Sequence, residues 1–118
     1  MRRVTIPIAT DASEAATVYS APVTGLIRGF FLDTGTMTTP TLVITDNETS
    51  AAILTITSAA ADGWYAPVVP TYGTDGTAAL YAAGGTAVLS PLPIEGTVKV
   101  VVSSGGATKA GTLYLYVG

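Results

Sequence analysis

The chain has 118 residues, 48% hydrophobic and 11% charged, with a net charge of -3 and a pI near 4.5. That length suits one domain with a core that needs no covalent staples, and its five Lys and Arg residues are too few to favour a nucleic-acid partner, whose binding rests on neutralising phosphates. With no Cys and no His, disulfides, thiolate chemistry, zinc sites and His-based triads are excluded.

From the N-terminus, Val4, Ile6 and Ile8 alternate with Thr5, Pro7 and Ala9, which predicts a strand. Pro7 cannot donate a ladder bond, so the strand belongs at a sheet edge, and we expect residues 1–10 to form an N-terminal arm. The short apolar run after Met1-Arg2-Arg3, interrupted by Pro7, reads as neither a secretion signal nor a membrane span. Thr10 to Glu14 is a loop and Thr17 to Ala21 a short strand. Thr24 to Asp33 is apolar on both faces, as a central strand would be, and Gly25 and Gly29 within it mark a bulge or a close backbone approach.

Thr41 to Thr45 and Ala52 to Thr57 predict a hairpin across Asp46 to Ser50, and Asp62-Gly63 then turns the chain into Trp64-Tyr65. Prolines and glycines interrupt any period between residues 66 and 86, which we expect to form a long loop holding a short strand at Ala79 to Tyr81. A strand resumes at Val88 and Leu89. The C-terminal runs, Gly96 to Val102 and Ala110 to Val117, flank a Ser-Ser-Gly-Gly-Ala-Thr turn and predict a second hairpin. In its last strand Leu113, Leu115 and Val117 alternate with Thr112, Tyr114 and Tyr116, so aliphatics face the core and rings face outward. Short strands, turn residues and no helix-period run predict a single all-β domain over residues 1–118. Its expected architecture is an antiparallel β-sandwich, Ig-like or jelly-roll-like, with Trp64 in one core with Val98, Val100, Leu113, Leu115 and Val117.

Phe31-Leu32-Asp33-Thr34-Gly35 matches the hydrophobic-hydrophobic-Asp-Thr-Gly signature of aspartic proteases, which need two such carboxylates sharing a proton and hence a homodimer of this chain. In a Thr- and Gly-rich chain the same tripeptide is the turn that ends a strand, and that is the reading preferred here. Asp46, Glu48, Asp62 and Asp75 lie in turns without EF-hand spacing, so we expect no metal and no cofactor. Trp64, Tyr65, Tyr72 and Tyr81 are rings suited to a sugar face or, in the preferred reading, to the core and a subunit contact.

Four segments together resemble a family of small structural proteins of tailed-bacteriophage virions. They are Pro22-Val-Thr-Gly-Leu-Ile-Arg28; Leu42-Val-Ile-Thr-Asp46 with Ile53-Leu-Thr-Ile56; Asp62-Gly-Trp-Tyr-Ala-Pro67; and Pro93-Ile-Glu-Gly-Thr-Val-Lys-Val100 with Lys109-Ala-Gly-Thr112. Val68 stands where that family carries an arginine. The resemblance implies a capsid decoration, or cement, protein on the outer surface of the virion, with the major capsid protein as partner and no catalytic residues. On that footing we expect a homotrimer, with no nucleic acid and no membrane involved. Its capsid-facing residues would be Arg2, Val4 and Ile6 of the arm, with Trp64, Tyr65, Tyr72 and Tyr81 of the loop. The alternatives are a receptor- or glycan-binding module of the virion and, more remotely, the homodimeric protease.

Overall fold

The computed structural model describes residues 2–70 and 89–118, and only the backbone of residues 69, 70, 89 and 90. The described residues are all strand and turn: β1 (Arg2–Ala9), β2 (Ala16–Tyr19), β3 (Val23–Asp33), β4 (Thr41–Asp46), β5 (Ala52–Ile56), β6 (Gly63–Tyr65), β7 (Val68–Pro70), β8 (Leu89–Pro91), β9 (Pro93–Gly96), β10 (Val98–Ser103) and β11 (Ala110–Val117). The strand expected at Ala79 to Tyr81 lies outside them, while Val68–Pro70, expected within the long loop of residues 66–86, is a strand because it pairs with β8.

Two antiparallel sheets pack face to face as a β-sandwich. In the first the order is β1-β11-β3-β6, with β9 also paired to β3; in the second it is β2-β10-β4-β5. The eleven-residue β3 serves three neighbours on its two edges. Ile27 donates to the Leu92 carbonyl beside β9, while the adjacent Leu26 accepts from Gly118 beyond β11, so β9 and β11 flank β3 from opposite sides. The pleat explains the core. Val4, Ile6, Ile8, Phe30, Leu32, Leu113 and Leu115 turn inward from the first sheet to meet Leu42, Ile44, Val98, Val100 and Val102 of the second, and all of these are buried.

The expected hairpin of β4 and β5 forms. Asp46 closes its turn by accepting the N–H groups of Glu48 (2.9 Å) and Thr49 (3.4 Å) on Oδ1. The expected C-terminal hairpin does not form: β10 pairs with β2 and β4, β11 with β1 and β3, and the connection between them arches from one sheet to the other. Both edges of each strand are already occupied. In the arch Gly105 and Gly106 are buried, and Thr10 pins it by donating its hydroxyl to the Gly106 carbonyl (2.6 Å) and accepting from Lys109 N–H (2.8 Å). Val98, Val100 and Val102 therefore face Leu113, Leu115 and Val117 across the core, instead of lying beside them in one sheet.

The segment expected as an arm is a full strand, paired with β11 from Arg2↔Val117 to Ala9↔Ala110. Thr10 donates to the Lys109 carbonyl in the same register, so even-numbered residues of β1 bond to β11. The backbones of Arg3, Thr5 and Pro7 consequently face the open edge, and Pro7 offers no donor there.

Candidate interaction surface

Pleating that buries one face of the first sheet collects aromatic rings on the other. By register, Thr5, Tyr114, Phe31 and Trp64 form one cross-strand row over β1, β11, β3 and β6, and Arg3, Tyr116 and Gly29 form the next. The Phe31 and Trp64 rings meet edge to face at 4.8 Å, Trp64 and Tyr116 lie 5.3 Å apart, and Phe31 and Tyr114 6.4 Å apart. The Arg3 guanidinium lies over the Tyr114 ring at 5.5 Å, within cation–π range. Where Gly29 interrupts the second row, a hollow of about 340 Å³ opens, lined by Arg28, Gly29, Trp64, Tyr65, Ala66 and Tyr116.

Arg28 reaches this hollow because the ladder slips there. Tyr116 opposes Gly29 but Val117 opposes Ile27, which leaves Arg28 as the extra residue of a bulge. Its Nε–H donates to the Gly118 oxygen at 3.0 Å. The bulge expected at Gly25 or Gly29 thus falls beside Gly29, where a Cβ would come within 3.3 Å of the Tyr65 carbonyl oxygen.

Trp64 is not a core residue: 67% of its surface is exposed. The cause is parity. Tyr65 pairs with the inward-facing Phe30 and packs half-buried against the core, so Trp64, paired with Phe31, must point outward. Of the other expected interface residues, Arg2 is exposed, whereas Val4 and Ile6 are buried and offer a partner no side chain, because the β1 pleat turns them inward. Tyr72 and Tyr81 lie outside the described residues. The structure adds Phe31, Arg3 and Arg28 to the surface. Phe31 was legible in principle, since a strand that buries Phe30 and Leu32 must turn Phe31 to the far face.

The carboxylates are engaged in turns. Asp33 Oδ1 accepts the Gly35 N–H (2.9 Å) at the end of β3. Asp62 Oδ1 accepts both the N–H and the hydroxyl of Thr34 at 2.9 Å, and these bonds, the backbone one foremost, hold its carboxyl below its ordinary value. Among the described residues no group of three metal-ligating side chains is assembled; Asp75 lies outside them. No family model, curated protein or solved structure matches the chain.

Proposed function

We propose that the protein is a non-enzymatic structural component of a bacteriophage virion. In this reading it decorates the outside of the head and docks on the major capsid protein through the outer face of its first sheet. The observation that supports an adhesive role is the cluster of rings on the outer sheet face, with Trp64 exposed and Phe31, Tyr114 and Tyr116 half-buried beside it. Trp64, Phe31, Tyr114 and Tyr116 pack edge to face or tilted against one another with Arg3 and Arg28 beside them, and rings with Arg are the residue types that dominate interface energetics. Its assignment to a capsid follows from the sequence resemblance. Several copies, most simply a trimer at a local three-fold position, would hold the shell by avidity, and binding restricted to the intact shell stabilises it by mass action.

The test is heat release of DNA from heads prepared without the protein and then decorated with it. Decorated heads should release DNA at a higher temperature, and Trp64→Ala protein should leave them unchanged. A second reading, a glycan-binding module, draws on the exposed Trp64 ring, since the apolar C–H face of a pyranose stacks on such a ring. Retention on host-surface polysaccharide without any effect on heads would put that reading ahead.

A further inference from the structure

We propose that the hollow over Gly29 seats an extended, proline-containing acidic segment of the partner protein, with a proline ring against Trp64 and Tyr116 and a carboxylate on Arg28. This inference rests on the reading that the outer face of the first sheet docks on a protein. The Trp64 and Tyr116 rings pack against each other, inclined at 44° with centroids 5.3 Å apart, and together form one aromatic wall of the hollow beside the side-chain-free, buried Gly29. Aromatic-walled grooves of this kind suit polyproline II segments, which enter already extended and lose little conformational entropy on binding.

The polarity of the lining favours a peptide over a sugar. Two rings, an alanine, a glycine and Tyr65 surround one charged group, so most hydroxyls of a buried saccharide would lose water without gaining a partner. A prolyl segment has few donors to satisfy. The charge of the site selects the neighbouring residue. Arg28 uses Nε on the Gly118 oxygen, its two Nη groups have no hydrogen-bond partner among the described residues, and no described carboxylate side chain lines the hollow. A guanidinium so placed matches a carboxylate bidentately.

Trp64 is the chain's single tryptophan, so its emission reports directly on the cleft. The probe is the synthetic peptide acetyl-Ala-Pro-Pro-Glu-Pro-Ala-amide, titrated into the full chain, with calorimetry for variants lacking the fluorophore. A saturable blue shift is expected. Affinity should fall about fivefold when the peptide's Glu is replaced by Gln, or in Arg28→Gln protein, and binding should vanish in Trp64→Ala. Both substituted side chains are exposed, so circular dichroism of the variants should match the parent. The inference is overturned if the peptide gives no saturable response at about 10 mM. Equal affinity for the Gln peptide overturns it as well, and so does a response to trigalacturonate with none to the peptide. Peptide failure alongside heads that are still stabilised in a Trp64-dependent way sinks this inference alone, whereas heads indifferent to the protein sink the reading beneath it.

Discussion

Asp62 ties the turn before β6 to the turn after β3 through Thr34, and its lowered pKa makes that tie sensitive to acid. A carboxyl whose folded pKa lies below its unfolded value stabilises the fold above the unfolded pKa, near 3.8, and the contribution disappears as pH falls through the folded value. Asp62→Asn keeps the acceptor oxygen and removes the charge. Its melting temperature should therefore lie below that of the parent at neutral pH and converge with it in strong acid. A gap of the same size at both ends would contradict this account of the bond. Asp33 serves its own turn, so Asp33→Asn should leave the fold intact; a pepstatin-sensitive peptide cleavage that the variant loses would contradict the turn reading.

Among the elements, β11 carries the most consequence, since it is paired on both edges, buries three aliphatics and presents two rings. Leu115 is fully buried, and Leu115→Ala should cost about 2 to 5 kcal/mol in denaturant unfolding. Trp64→Ala on the exposed row should cost about 1 kcal/mol, the scale of its ring contacts. If the two substitutions cost the same, the assignment of inner and outer faces is wrong. On β1, Pro7→Thr restores a donor to the open edge and should raise the share of self-associated species in size-exclusion chromatography; an unchanged profile would show that the edge is guarded otherwise. Most of the longer strand spans, the β4–β5 hairpin and the alternation of β11 were legible because each is a local pattern, whereas the short, proline-bearing β7 and β9 carry none and were read as loop and connection. The arch between β10 and β11 was not. Alternating runs around a Gly-Gly turn look alike whether they pair with each other or cross between sheets, and the choice is made by distant strands that occupy their edges. Trp64 was misplaced for a related reason: hydrophobicity favours the interior, but β3 sets the parity of a three-residue strand.

At the scale of the molecule, the sandwich places its polar turns at strand ends and leaves one sheet face aromatic, with Arg3 and Arg28 beside the rings. The expected interface residues that are exposed, Arg2 and Trp64, were marked by residue type alone. Their neighbours on the surface, Phe31, Arg3 and Arg28, became visible only through the register of four strands and a bulge. The proposal that this face docks on a capsid is tested most directly by a cryo-electron microscopy map of heads bearing the protein. The account predicts density for the domain on the outer shell, with the Trp64 face of the first sheet against the major capsid protein. Density that instead presents this face to solvent while another surface meets the shell, or no density on the shell at all, would contradict it.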